Sequence, residues 1–179
     1  MKKTAKKTAP PRWKADWTAA ENARGGLPDA LAHFWLLGDK LTASAANPAD
    51  LHELRLATKH VRYGLEAFQS IYGRRLGALL HKLRETQQKL GTISDAMATR
   101  RWLVRQGFKG EGGAERVMAY LEERARKEAG EFVSFWREHW AKTELRQRWV
   151  RYLVRYARTV PRRTRQVSVP HTARQHPES

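Results

Sequence analysis

The chain has 179 residues, with 35 Lys and Arg against 18 Asp and Glu and a formal net charge of +17. That length fits one domain, and a charge of that size opposes its own compaction, so it points to a polyanionic partner: nucleic acid, an anionic membrane or a phosphate polymer. Cys is absent, which removes disulfides and thiolate chemistry, and no apolar run approaches the roughly eighteen residues of a membrane span.

The opening MKKTAKKTAPPRWK is basic with no hydrophobic stretch behind it, so it does not read as a secretory leader, and a cytoplasmic protein is expected. Residues 1–13 hold Lys2, Lys3, Lys6, Lys7 and Arg12 without an acid, and Pro10-Pro11 breaks any helix. They are predicted as a disordered basic arm. Trp13 and Trp17 suggest a short helix ending before Gly25-Gly26. Leu27-Pro28-Asp29 then opens a helix through about Ser44, with Leu31, Phe34, Trp35 and Leu41 at core spacing.

Residues 47–73 read as one long helix. Asn47 is its N-cap, Pro48 its first helical residue and Gly73 its end. At about 100° per residue, His52, Arg55, Lys59, Arg62, Tyr63 and Glu66 share one face, while Leu54, Val61, Leu65 and Phe68 lie opposite. Like charges at these spacings repel by roughly 0.2–0.5 kcal/mol per pair, so a helix built only for packing has no reason to align them. The competing reading is a solvated charged face.

Beyond Gly73, Leu76, Leu79, Leu80, Leu83, Gln87 and Leu90 repeat at three and four, with Lys82 and Lys89 on another face. Gly91 is a C-cap candidate, and Thr92-Ile93-Ser94-Asp95 has the spacing of a capping box that opens a new helix to about Gln106. Residues 107–113 are predicted as a linker, since no strand precedes them and no Gly-Lys-Ser/Thr follows. From Ala114 a long helix carries Val117, Tyr120, Leu121, Ala125, Phe132, Phe135, Trp136 and Trp140 on its apolar side, with a bend expected at Gly130. Thr143-Glu144 starts a last helix with Leu145, Trp149, Tyr152, Leu153 and Tyr156 facing inward. Arg148, Arg151, Arg155 and Arg158 repeat the offsets of His52, Arg55, Lys59 and Arg62, forming a second basic stripe. After Pro161 the chain is polar and basic, and residues 161–179 are predicted as a disordered tail. No segment alternates with period two. The fold class is therefore all-α, a bundle of five or six helices over 14–160 with disordered basic termini.

Catalytic chemistry finds no foothold. The seven His form no H-E-x-x-H pair and no pair four apart, so no metal site is expected. No Ser stands in a nucleophile elbow. A non-enzymatic binding protein without cofactors is the reading.

The pattern His52-Glu53-Leu54-Arg55, Lys59, Arg62-Tyr63, Glu66 and Phe68, followed by Leu83, Gln87, Leu90-Gly91 and Asp95, resembles the signature region of the CHAD family (conserved histidine α-helical domain). The resemblance implies a helical domain that binds inorganic polyphosphate along a basic channel; a separate reading is an interaction protein brought to polyphosphate granules, with the domain as its targeting module. His52, Arg55, Lys59 and Arg62 would face the channel with Tyr63 beside them, and Lys82 is a further carry-over. Typical members hold two helical lobes around a pore, each with a basic signature helix. This chain has one such helix, so the other wall comes from a second chain in a homodimer, from the Arg148–Arg158 stripe, or not at all. The alternative is sequence-independent nucleic-acid binding, with nucleic acid as the competing polyanion. On the polyphosphate reading, Arg55→Ala or Arg62→Ala is expected to weaken binding while barely changing, or even raising, thermal stability.

Overall fold

The computed structural model describes residues 14–43, 46–108 and 112–155. Among these it places six helices and no strand: α1 (Ala19–Thr42), α2 (Leu51–Ala67), α3 (Gln69–Tyr72), α4 (Leu76–Arg105), α5 (Gly113–His139) and α6 (Thr143–Arg155). α4 lies between α2 and α5, and α1 covers α2, α5 and α6. The apolar positions read from the sequence on α1, α2 and α4 converge, with Leu31, Phe34, Leu54, Leu65, Leu79, Leu83 and Leu90 all at 0% exposure.

α1 starts earlier than expected. Thr18 and Glu21 close a capping box: the Glu21 amide donates to Thr18 Oγ1 at 3.2 Å and the Thr18 amide donates to Glu21 Oε2 at 2.7 Å. The Asn22 side chain ties the preceding turn to the helix, accepting from the Lys14 amide at 2.8 Å and donating to the Lys14 carbonyl at 2.9 Å. Gly25 and Gly26 do not end the helix. A Cβ on Gly25 would come within 2.9 Å of the Trp17 ring, so glycine here makes room for an aromatic lid. Pro28 sits inside α1, where it gives up one amide donor without ending the run. Trp13 lies outside the described residues.

The other boundaries shift for equally local reasons. Asn47 caps a turn rather than the helix, its Oδ1 accepting from the Ala49 amide at 3.0 Å, and α2 begins at Leu51 behind Asp50. The run then breaks at Phe68, and Gly73 closes α3 at a φ of 75°, where a side chain would be strained. α4 continues unbroken for 30 residues through Gly91. Thr92 Oγ1 donates back to the Gln88 carbonyl at 3.3 Å instead of capping a new start. α5 likewise runs through Gly130. Its first turns leave Val117 and Tyr120 exposed, where the periodicity led one to expect burial.

Two tryptophans at the end of α5 join the layers. Trp136 lies on the backbone of Gly38, so that a Cβ there would fall 2.0 Å from its ring. Phe34 meets Trp136 and Trp140 edge-on, each at 5.1 Å between centroids. Trp140 Nε1 donates to Thr86 Oγ1 on α4 at 2.9 Å. Trp136 Nε1 donates to Asp39 Oδ1 at 3.0 Å, and Arg146 grips the same carboxylate through two 2.6 Å bonds. The Arg146 hydrogen bond holds the Asp39 carboxyl below its ordinary range. At the other end, the Tyr72 hydroxyl donates to the Leu153 carbonyl at 2.9 Å and the Tyr152 hydroxyl to the Tyr72 carbonyl at 2.7 Å.

Glycine substitutions separate packing from propensity. Gly38→Ala should cost about 3 kcal/mol in urea unfolding, because the indole must move. Gly130→Ala, where an added Cβ meets nothing, should gain about 0.5–1 kcal/mol. A stable Gly38→Ala protein would show that Trp136 is not seated as described.

Burial pushes the Tyr72 hydroxyl up to about 12, whereas a free tyrosine ionises near pH 10. The unfolded chain therefore releases this proton first, and the stability due to Tyr72 is complete below pH 10 and falls as pH rises toward 12. Tyr72→Phe leaves the Leu153 carbonyl without its donor and should cost about 1–3 kcal/mol at pH 7. The gap between native and variant should narrow at pH 11, and a gap that stays constant would remove the alkaline role of Tyr72.

Candidate polyanion-binding site

α2 presents the two faces its sequence implies. Leu51, Leu54, Thr58, Val61 and Leu65 are buried against the bundle, and Thr58 satisfies its hydroxyl by donating to the Leu54 carbonyl at 2.7 Å. On the outer side His52 and Tyr63 are exposed, while Arg55, Lys59 and Arg62 are half-buried. Seven residues of helix separate Arg55 from Arg62, about 10 Å. The cationic row is thus spaced along the edge of the bundle rather than projecting freely into water.

The two arginines in this row differ. Arg62 is locked in place: Nε donates to Gln87 Oε1 at 2.9 Å, and Nη1 donates to both Glu66 oxygens at 2.8 and 3.0 Å. Its guanidinium also stacks 4.3 Å from the Tyr63 ring centroid. Glu66 takes a second cation, Arg84 Nη2 of α4, at 2.9 Å. One carboxylate therefore serves two guanidinium groups, and the local charge stays positive. Arg55 has no such anchor, and its Nε is buried without a hydrogen-bond partner.

The Arg62–Gln87 and Arg84–Glu66 pairs fix α2 antiparallel to α4. That alignment carries Lys59 level with Gly91, where an added Cβ would meet nothing within 4 Å. α4 therefore presents no side chain at Gly91, level with Lys59. Gln87 and Gly91 belong to the segment that carries the family resemblance but were not named among the binding residues, and Arg84 was not singled out. Gln87 also sat within an apolar repeat, and Gly91 carried a helix-stop signal that the fold ignores.

Lys82 is not part of this face. It precedes Gln87 by five residues, about 140° around the same helix, and it pairs instead with Glu85 at 2.8 Å beside the Phe135 ring of α5. The Lys82 hydrogen bond holds the Glu85 carboxyl below its ordinary range. Lys82 lines a trough of about 660 Å³ with His139, Arg148, Trp149 and Arg151. A second compartment of about 460 Å³ continues it past Arg75 and Arg155. Arg148, Arg151 and Arg155 of the second stripe are exposed along this trough, and Arg158 lies outside the described residues. The protein therefore carries two basic surfaces on different sides of α4, and the α6 stripe is not a second wall for the α2 face.

A protein-family description, CHAD domain, matches residues 1–104, which takes in α1, α2, α3 and nearly all of α4. No curated protein and no solved structure matches the chain.

The difference between the two arginines has a thermodynamic signature. Arg55→Ala should leave the melting temperature unchanged or slightly raised, because it removes only a repelling neighbour. Arg62→Ala takes the donor from Gln87 and leaves Glu66 with Arg84 alone, and should cost about 1–2 kcal/mol, contrary to the parity expected from their shared stripe. Equal effects in calorimetry would contradict the partner assignment.

Proposed function

The chain belongs to the CHAD domain family, and from that premise we propose that it binds inorganic polyphosphate along the outer face of α2 as a non-catalytic module. The observation that carries this reading is the outer face of α2, where Arg55 and Lys59 make no ion pair among the described residues and Arg62, two turns on from Arg55, is held in place by Glu66 and Gln87. Cations that carry no acid partner gain charge-assisted bonds when an anion settles along this face, and those bonds offset their mutual repulsion.

The polymer suits the row of cations. Polyphosphate carries about one negative charge per phosphate, so successive phosphates meet Arg55, Lys59 and Arg62 in turn. Each charge-assisted bond contributes about 1.5–3 kcal/mol and offsets the mutual repulsion of the cations. His52 extends the row, and Tyr63 keeps the Arg62 guanidinium flat. No base edge has to be read, so no groove-reading element is required. We place the protein in the cytoplasm at polyphosphate granules; no described helix is long and apolar enough to cross a membrane. A homodimer that sets two α2 faces around one polymer belongs to the same reading, and sedimentation of the complex at one protomer mass would remove it.

The direct test pairs Arg55→Ala with Lys59→Ala. The double variant should keep its melting temperature and lose at least tenfold in affinity for long-chain polyphosphate at fixed salt. Native-like affinity in a folded double variant would overturn the assignment.

A further inference from the structure

The trough on the other side of α4 is built differently from the α2 face. Its two compartments meet at Ala78, Arg148, Trp149 and Arg151, which line both. Trp149 is half-buried and braced edge-on by Tyr152, at 5.8 Å and 80° between ring planes. Tyr152 is itself pinned through its hydroxyl to the Tyr72 carbonyl. The indole is thus braced where the two compartments meet. Across from it Ala78 of α4, small and exposed, leaves the space open.

The rim is cationic. Arg75, Lys82, Lys142, Arg148, Arg151 and Arg155 line the two compartments against only Glu138 and Glu144. Of these cations, Lys82 is engaged by Glu85, whereas Arg148, Arg151 and Arg155 make no ion pair among the described residues. The three follow one side of α6 over about 10 Å. The walls from α5 and α6 lie beyond residue 104, outside the family match.

A polymer of phosphate alone uses the rim and leaves the aromatic plate idle. A ligand that uses both is anionic at regular intervals and carries flat apolar groups between its charges. We propose that this trough is a second binding site, taking single-stranded nucleic acid with a base stacked on Trp149 and the backbone phosphates along Arg148, Arg151 and Arg155. Stacking on an aromatic side chain combined with a basic track is how strands are held without sequence preference. A paired duplex does not qualify, because its bases are already stacked and closed to the indole. An acidic peptide matches the rim but presents no regular series of flat rings.

The test uses the full chain and fluorescence anisotropy with three probes: a labelled oligothymidylate, an abasic oligomer of equal length, and polyphosphate. Native protein should bind the oligothymidylate more tightly than the abasic oligomer. Arg148→Ala/Arg151→Ala/Arg155→Ala, at exposed positions, should weaken oligothymidylate at least tenfold and reduce the salt slope by about 2, while polyphosphate affinity stays within about twofold. Ala78→Leu fills the trough without changing charge, and should weaken the oligothymidylate but not the abasic oligomer. Arg55→Ala/Lys59→Ala should leave oligothymidylate binding intact, so the two sites fail or stand separately. Equal binding of the base-bearing and abasic strands would overturn the proposal. So would parallel loss of both polymers in the triple arginine variant, or displacement of oligothymidylate by polyglutamate at equal charge.

Discussion

The seating of Trp136 on the bare backbone of Gly38 is the contact on which the other packing depends. With the indole at that depth, Phe34 fits edge-on against both Trp136 and Trp140. Trp140 can then reach Thr86 on α4, and Trp136 can reach Asp39, whose carboxylate is completed by Arg146 of α6. Four helices are located by one aromatic pair and the polar bonds at its edges. α2 packs on α1 and α4 so positioned, which turns its cationic side outward. The same placement sets α6 beside the first turns of α4 and opens the trough. Both basic surfaces are consequences of one close approach.

A net charge of +17 is distributed unevenly over this frame. Acids are spent in pairs where cations would otherwise destabilise packing: Glu66 between Arg62 and Arg84, Asp39 under Arg146, Glu85 beside Lys82, and Glu122 between Arg100 and Arg126. Among the described residues Arg55 and Lys59 on α2 and Arg148, Arg151 and Arg155 on α6 are cations that make no ion pair. Exposed pairs of this kind contribute little to stability individually. Their effect is to leave two surfaces whose positive charge is not cancelled locally, each on its own side of α4.

The two-faced character of α2 was legible because a 3.6-residue period sorts side chains regardless of what lies beyond the helix. The core positions of α1 and α4 followed for the same reason. What was not legible turned on partners far along the chain. Arg55 and Arg62 share one stripe, and what separates the anchored one from the free one is Glu66, four residues on and visible in the sequence, together with Gln87 on a neighbouring helix, which is not. Lys82 matched a family position, yet which side of α4 it occupies is set by where α2 and α5 pack. Gly25-Gly26 and Pro28 argued for a break in α1, and the Trp17 ring lying over Gly25 shows a packing reason for glycine that local propensity does not contain. Thr18 and Glu21 have the spacing of a capping box, a local signal for the earlier start of α1. The trough was invisible for a simpler reason: Ala78 and Trp149 are more than seventy residues apart.

The account stands or falls on where polyphosphate touches the protein. Backbone amide shifts of the isotope-labelled chain, recorded as long-chain polyphosphate is added, measure that directly. The expected result is a set of changes centred on α2 from His52 to Tyr63 and on the Gly91 turn of α4, with α6 nearly silent. Changes concentrated on Arg148 to Arg155, or spread evenly over every basic residue, would contradict it.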